Sequence, residues 1–349
     1  MTYKNIGNSP IPFVPNEFAK RVINWQRQHG RHDLPWQQYN QPYHVLVSEL
    51  MLQQTQVSTV IPYFHNWIVK FPDFNTLASA QEDQVLNAWQ GLGYYSRARN
   101  LHRAAQFVVA QYNGQLPDSP ELLREVPGVG PYTAGAITAF AFNKPAAIVD
   151  GNVKRLFARY FGIEGDLSST QLNRKLWQLA ERYTPNHNNR AYAQGLLDLG
   201  ATLCKPRQPK CEECPLQKTC NAFATHRVDT LPTAKKKKQI PTKQGYFLYS
   251  LTAAGVLLEQ RPSDGIWPRL WSFPELKQAS HEFTEHGSFK HVFSHYRLNA
   301  LVYNASSENK AERLHHTALK RVAVEDLDQV GLPAPIRKYL DTQLQRLDK

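Results

Sequence analysis

The stretch LLREVPGVGPYTAGAITAF (residues 122–140) predicts a short helix, a tight turn and a second helix. Gly128 and Gly130, on either side of Val129, let backbone N–H groups approach an anion closely, and the start of the second helix adds partial positive charge. A plain corner between two helices is the alternative. Because the pattern around the turn is unusually complete, we favour a helix-hairpin-helix near residues 119–142 that grips phosphate whatever the base sequence.

Helical periodicity continues on both sides of this motif. Phe18, Val22 and Trp25 recur at the i, i+4, i+7 spacing of one helix face. Further helices are predicted downstream, at residues 152–161, 170–183 and 190–203. This part of the chain is therefore expected to be mainly α-helical.

Beyond residue 245 the hydrophobic period changes to two, which indicates strands. Residues 246–251 and 255–259 are predicted to pair with each other, and residues 289–303 supply further strand. A last helix fits residues 334–347. The C-terminal part is therefore expected to be a mixed α+β domain.

The domain boundaries follow from a change in composition. Residues 229–243 are rich in Pro, Thr and Lys and lack apolar periodicity, which is typical of a linker. We therefore predict a helical domain at 1–228 and a second domain at 244–349. The Lys235–Lys238 run in the linker receives no assigned role.

Composition and charge narrow the class of protein. The 349 residues contain neither an apolar run of the roughly 18 residues that a membrane span needs nor an apolar N-terminal signal, so we expect a cytoplasmic protein that does not enter membranes. Residues 151–243 hold 17 Lys and Arg against 7 Asp and Glu, and so carry +10 of the net charge of +12. Segregated positive charge favours a polyanion such as nucleic acid, with a membrane surface as the rival partner.

All four cysteines lie within 17 residues, at Cys204, Cys211, Cys214 and Cys220. Disulfides between such close neighbours would close only tiny loops, and a cytosolic protein keeps its thiols reduced. Metal binding is the better interpretation. A single compact loop favours an iron–sulfur cluster over zinc, which usually takes two matched pairs of ligands.

Two carboxylates stand in unusual surroundings. Glu49 shares a predicted helix stripe with Gln53 and Gln56 but is flanked by apolar residues, so it is either a solvated residue or a general acid with a raised pKa. Asp150 follows an apolar pair and precedes a helix, where an N-cap is the ordinary role. A carboxylate fixed at a helix start is also well placed beside a developing cation.

Together these motifs resemble the endonuclease III, or helix-hairpin-helix, superfamily of base-excision DNA glycosylases. Within it, SELMLQQTQV (48–57), GLGYYSRARNLH (91–102), VPGVGPYTAGAI (126–137) and VDGNVKR (149–155) closely resemble the MutY-type adenine DNA glycosylases. The resemblance implies a six-helix barrel split by residues 30–120, one [4Fe-4S] cluster in the loop 204–220, and a C-terminal Nudix-like domain.

The resemblance also implies roles in catalysis. Glu49 matches the glutamate that protonates the adenine leaving group at N7. Asp150 matches the aspartate that stabilises the cationic sugar, and Asn152 its helper. Tyr132 stands where bifunctional members carry a nucleophilic lysine, and a phenol cannot form a Schiff base. Residues that match the lining of the base pocket are Arg31 and Trp36.

Further matches concern recognition of the lesion. Residues that match those probing the opposite strand are Gln54, Thr55, Leu92 and Tyr94, although core packing is an alternative for Tyr94. Phe293, Ser294 and His295 match the loop that recognises 8-oxoguanine. The glutamate-rich helix of a working Nudix hydrolase is missing from residues 272–290. Pro268 and Arg269 depart from the family, which has glycines there.

The expected protein is a monomeric, monofunctional glycosylase that removes adenine opposite 8-oxoguanine or guanine in double-stranded DNA, associated with the nucleoid if the source is bacterial. A rival within the superfamily is a glycosylase–lyase acting on oxidised pyrimidines, which Tyr132 and the additional domain disfavour. A rival of another class is a non-catalytic DNA-binding scaffold, which intact Glu49 and Asp150 disfavour.

Overall fold

The computed structural model describes residues 12–233, 239–304 and 319–347. The chain divides into two compact units. Unit 1 takes the described residues of Met1–Ile68 and Ala104–Lys236, and unit 2 those of Val69–Arg103 and Lys237–Lys349. The Lys235–Lys238 run lies outside the described residues.

Helices dominate the first two thirds of the chain. They are α1 (Pro15–His29), α2 (Pro42–Leu52), α3 (Val57–Lys70), α4 (Phe74–Ser79), α5 (Glu82–Ala88), α6 (Ser96–Tyr112), α7 (Pro120–Leu123), α8 (Pro131–Phe140), α9 (Gly151–Phe161), α10 (Thr170–Tyr183), α11 (Asn189–Asp198) and α12 (Asn221–Ala224). The last helix of the chain is α13 (Ala334–Leu347). None of the helices within the described ranges is both long enough and apolar enough to cross a membrane.

The predicted helical periodicity is confirmed in the core of unit 1. Phe18, Val22 and Trp25 of α1 are buried, and they pack with apolar residues of α8, α9, α10 and α11. Phe18 alone contacts four aromatic rings edge-on or at a tilt. This core holds α8 and α9 in place, and with them the start of each helix.

The helix-hairpin-helix is confirmed as a local structure. The Ser119 hydroxyl accepts a hydrogen bond from the Leu122 N–H at the start of α7. Gly128 has φ +81°, a left-handed conformation that favours glycine, and Gly130 is the N-cap of α8 with open space around its Cα. The turn therefore presents unobstructed backbone at a helix N-terminus.

The described residues of unit 2 form two four-stranded sheets. The strands are β1 (Thr242–Tyr249), β2 (Leu251–Thr252), β3 (Gly255–Gln260), β4 (Trp271–Ser272), β5 (Glu275–Leu276), β6 (Thr284–Val292), β7 (Arg297–Asn304) and β8 (Leu319–Val322). One sheet has the order β5-β1-β7-β6, and in the other β3 pairs with β2, β4 and β8. The last helix, α13, begins and ends where the sequence predicts.

The predicted pairing of residues 246–251 with 255–259 is wrong for most of its length. β1 instead runs parallel to β7, from Thr242 opposite Arg297 to Tyr249 opposite Asn304. Only Leu251 and its neighbour pair with β3, because the chain changes sheets at this point. Period-two patterning indicates which side chains share a face, and it does not select the partner strand.

Residues 69–103 group with the C-terminal residues in unit 2, although they lie within the predicted helical domain; the domain boundaries stay a prediction. Tyr95 Oη donates to the carbonyl of Leu332 at 3.0 Å. Arg99 Nη1 donates to the carbonyl of Pro268 at 2.8 Å. A Cβ added at Gly331 would lie 2.8 Å from the Cβ of Leu86. The contact is thus made by backbone acceptors and close packing.

Candidate active site and cysteine pocket

Glu49 lies in the buried helix α2, where only 5% of the residue is exposed, so the solvated alternative does not hold. Burial raises the pKa of Glu49 to about 7, and the nearby charge of Asp150 acts in the same direction. Tyr132, in the first turn of α8, donates a hydrogen bond to the carboxylate and partly offsets the increase. The structure therefore brings Glu49, Tyr132 and Asp150 together.

The predicted helical stripe from Glu49 to Gln56 is wrong, because α2 ends at Leu52. Gln53 and Gln54 follow in a turn, with Gln54 at φ +57°. Gln54 is exposed and Thr55 half-buried. Both are thereby separated from the buried acid, at the surface of unit 1.

Asp150 is confirmed as the N-cap of α9. One carboxylate oxygen accepts from the backbone N–H of Val153 at 2.7 Å, and the other accepts from the Asn152 amide at 2.9 Å. Burial raises the pKa of Asp150, and these two hydrogen bonds limit the increase. The carboxylate is therefore fixed in position at the start of α9.

A cavity of about 400 Å³ opens beside Glu49 in unit 1. Its lining includes the predicted Arg31 and Trp36, both from the segment between α1 and α2. Trp36 is buried and contacts the Phe64 ring edge-on. The cavity combines apolar walls with a few polar groups, as small-molecule sites do.

Asp198 was not predicted from the sequence, and it holds Arg31 in place. Its carboxylate is fully buried and accepts from Arg31 Nε at 2.7 Å and from the Arg31 backbone N–H at 2.9 Å. Gln194, one turn earlier on α11, also donates to it at 2.9 Å. The i, i+4 spacing of these two polar residues, with Gly195, Leu196 and Leu197 between them, was the available signal. Other polar lining residues that the sequence analysis missed are His32, Asn143, Asn188 and Arg190.

The four cysteines surround one small pocket of about 30 Å³ next to the core of unit 1. None of the four forms a disulfide. Burial raises the pKa of Cys214 to about 12 and that of Cys220 to about 11. Within the described ranges, no three His, Cys, Asp or Glu side chains are placed to hold a single metal ion. Four thiols around one pocket are the donor set that an iron–sulfur cluster takes.

Two arginines of α9 tie the cysteine loop to the rest of the unit. Arg155 donates to the carbonyl of Cys204 at 2.7 Å and to the Asn152 side chain at 3.0 Å. Arg159 is buried and donates to Cys204 Sγ at 3.5 Å and to the carbonyl of Lys205 at 2.7 Å. Arg155 therefore connects Asn152, whose amide supports Asp150, to Cys204, the first cysteine of the loop.

Leu92 and Tyr94 lie in unit 2, in the turn before α6. Tyr94 is 48% exposed with φ +48°, whereas Leu92 is buried. Arg97 supports this turn from below, because it donates to the carbonyls of Leu92 and Gly93 and its guanidinium lies 5.5 Å from the Tyr94 ring. Leu92 is thus packed inward and Tyr94 is exposed, and the role of both residues at the opposite DNA strand stays a prediction.

Phe293, Ser294 and His295 form the tight connection between β6 and β7. The Phe293 N–H donates to the carbonyl of Tyr296 at 2.9 Å, which closes the turn. Ser294 and His295 are exposed, and the Phe293 ring packs against Trp267. This exposed pair can offer hydrogen bonds to a ligand.

Arg269 has φ +64°, a left-handed conformation that glycine adopts without strain. Its neighbour Pro268 cannot adopt positive φ. Arg269 thus keeps the left-handed backbone conformation that a glycine would adopt, and it adds a side chain at this position.

Comparisons with known proteins agree with this arrangement. Residues 47–182 match the HhH-GPD superfamily of base excision DNA repair proteins, and residues 246–342 match the NUDIX domain. The chain resembles the solved structure of a thermostable thymine-DNA glycosylase with a TM-score of 0.55 and 31% identity, over 61% of this chain and 97% of that one. An endonuclease III–DNA complex, at 20% identity and a TM-score of 0.52, over 62% of this chain and 99% of that one, shares the fold.

Relatives that match most of this chain are named adenine DNA glycosylase in both bacteria and eukaryotes. The adenine DNA glycosylase of Buchnera aphidicola subsp. Acyrthosiphon pisum is 35% identical, over 93% of this chain and 97% of its own. The adenine DNA glycosylase of Mus musculus is 33% identical, over 82% of this chain and 70% of its own, and that of Homo sapiens is 32% identical, over 84% and 67%. The chain therefore belongs to the adenine DNA glycosylase family of base-excision repair enzymes.

Proposed function

We propose that this enzyme removes adenine mispaired with 8-oxoguanine or guanine in double-stranded DNA, by hydrolysing the N-glycosidic bond without cutting the strand. The observation that carries the proposal is the position of Glu49: a buried carboxyl with a pKa of about 7, next to Asp150, at the wall of a 400 Å³ cavity. A buried general acid beside a second, fixed carboxylate is what this hydrolysis needs.

Glu49 acts as the general acid. Adenine leaves poorly unless a ring nitrogen is protonated, and a carboxyl with a pKa of about 7 retains its proton near neutral pH. Asp150, fixed by Val153 and Asn152, stabilises the positive charge that develops on the sugar. The reacting atoms are inaccessible within a duplex, so the adenine nucleotide must flip out of the helix into the cavity, between Arg31 and Trp36.

The deciding experiment is incubation with a duplex that contains an A:8-oxoguanine pair, analysed with and without alkali. We expect strand breaks only after alkali, because Tyr132 offers no amine for a Schiff base. Breaks without alkali would establish the glycosylase–lyase instead. If no adenine is released, a second duplex that carries an oxidised pyrimidine separates the two rivals, because the glycosylase–lyase cuts it and the non-catalytic scaffold does not.

Changing Tyr132 to Phe is expected to extend activity to higher pH. The Tyr132 hydroxyl lowers the pKa of Glu49, so its removal raises that pKa further. A general acid works only while protonated, and the alkaline decline of the single-turnover rate therefore moves to higher pH. Comparison with Tyr183→Phe, another buried tyrosine of unit 1, provides the control. An unchanged decline would show that Glu49 does not govern it.

Ser294→Ala is expected to reduce the preference for 8-oxoguanine over guanine opposite adenine. The exposed hydroxyl of Ser294 is a potential hydrogen-bond partner for the oxidised base, and one such bond contributes on the order of 1 kcal/mol, or about fivefold in selectivity. The ratio of kcat/KM on the two mispairs measures it. Ser280→Ala, in another loop of the same unit, should leave the ratio unaltered.

We further propose that Cys204, Cys211, Cys214 and Cys220 hold one [4Fe-4S] cluster. The group would cross-link the loop after α11 and stabilise it; it supplies no step of the hydrolysis. Arg159, buried against Cys204, adds the positive charge that four thiolates require. Because burial raises the pKa of Cys214 and Cys220, these thiols keep their protons near neutral pH and release them when a cluster assembles.

The purified protein is accordingly expected to be brown and to contain about four iron and four sulfide per chain. Cys214→Ser should lower the iron content and the unfolding temperature together. Ser168→Cys, which leaves the four ligands in place, is the control. Stoichiometric zinc in a colourless protein would disprove the assignment.

A further inference from the structure

A cationic feature of unit 2 adjoins the loop that carries the exposed Ser294 and His295, since the His291 and Phe293 ring centroids are 4.6 Å apart. A groove of about 720 Å³ runs between β6 and α13, and we call it the β6–α13 groove. Its lining includes His286, Ser288, Lys290, His291, Lys338 and Arg346, and it contains neither an Asp nor an Glu. The groove therefore carries only positive or neutral side chains.

The groove is built on an exposed sheet edge and one face of a helix. In the described part of the sheet β6 pairs only with β7, so its other edge faces the groove. Lys338, Thr342 and Arg346 follow each other at spacings of four along α13, which places all three on one face. Eight residues of helix span about 12 Å, the axial rise of about three phosphates on one DNA strand.

The positive charges of the groove are not neutralised by neighbouring acidic side chains among the described residues. Lys290, Lys338 and Arg346 are exposed, and none forms a salt bridge with a residue that the structure describes. Arg337, also on α13, differs, because Asp328 and Asp341 neutralise it. The uncompensated charge thus belongs to the groove.

We propose that the β6–α13 groove binds the sugar–phosphate backbone of the DNA duplex beyond the lesion. β6 leads directly into Phe293, Ser294 and His295, with Lys290 four residues before Ser294, so a strand held at that loop continues towards the groove. This direction rests on the proposed role of the loop. Contacts to phosphate add affinity and register without reading bases.

The test compares two double variants that remove equal charge from the same unit. Lys290→Gln/Lys338→Gln changes the groove, whereas Lys277→Gln/Lys320→Gln changes exposed lysines elsewhere. Equilibrium binding of an undamaged 30-base-pair duplex is measured as a function of salt. We expect the groove variant to reduce the slope of log K against log[salt] by about 2 relative to wild type, and the control variant to leave it unchanged.

Several results would overturn the proposal. One is an unchanged salt slope in the groove variant, and another is an equal decrease in both variants. A third is a groove variant that no longer binds a free deoxynucleotide but keeps the wild-type salt slope for the duplex, which would assign the groove to a nucleotide. Lys290→Arg/Lys338→Arg, which keeps the charge, should restore the slope. Since undamaged DNA is the probe, the outcome is readable even if the enzyme shows no preference for 8-oxoguanine.

Discussion

Glu49→Gln is expected to lower the single-turnover rate of adenine excision by about two to four orders of magnitude, the usual contribution of a general acid. Glutamine has nearly the same shape and still accepts the hydrogen bond from Tyr132, so the change removes only the transferable proton. Duplex binding should remain close to that of the wild type. The measurement is excision from an A:8-oxoguanine duplex under enzyme excess.

The same substitution is expected to stabilise the protein at alkaline pH. The pKa of Glu49 is about 7 in the folded state against 4.5 ordinarily, so between these values the folded chain binds more protons than the unfolded one. Stability therefore falls as pH rises through this window, by about 3 kcal/mol in all, and the loss is complete above pH 7. Glutamine avoids it, and Glu49→Gln should gain stability at pH 8 but hardly at pH 4.

These opposite effects exclude unfolding as the cause of lost activity. Glu17→Gln makes the same chemical change at a partly exposed position of α1 and should affect neither property. If Glu49→Gln kept the wild-type rate, Glu49 would have no part in proton transfer. If Glu49→Gln and the wild type lost the same stability as the pH rises, the buried environment of the carboxyl would be misassigned.

Asp198→Ala is expected to reduce the free energy of unfolding by about 3–5 kcal/mol. Its carboxylate is fully buried and paired with Arg31, and removing one partner of such a pair leaves the other charge uncompensated. Chemical denaturation measures the loss. The excision rate should fall too, because Arg31 loses the acceptor that orients it in the cavity.

Asp118 offers a matched comparison. It pairs with Lys144 at the surface of the same unit, with both side chains about half exposed. Asp118→Ala should therefore cost less than about 1 kcal/mol. Equal losses for the two variants would contradict the argument that burial sets the cost.

Much of the helical structure was predictable because local patterns determine it. Gly128 and Gly130 mark a turn, Asp150 marks a helix start, and α13 follows a clear period. These signals act over a few residues, and the structure retains them. The resemblance added Arg31 and Trp36, which no local pattern indicated.

Long-range pairing was not predictable in the same way. Asp198 follows Arg31 by 167 positions, and only the folded chain shows that they meet. β1 lies beside β7 rather than its neighbour in sequence, since alternation gives no information on the partner strand. The environment of Glu49 likewise depends on Tyr132 and Asp150, which other helices bring to it.

The grouping of residues 69–103 with the C-terminal residues limits how modular the enzyme can be. Tyr95 and Arg99 donate to carbonyls of Leu332 and Pro268, and both lie within ten residues of the exposed Tyr94. Deleting residues 244–349 would remove those acceptors along with Ser294 and His295. If a shortened chain lost its lesion preference, the cause could be the loss of Ser294 and His295 or the loss of the contacts that hold the segment bearing Tyr94. Point substitutions, and not truncation, are the means to separate them.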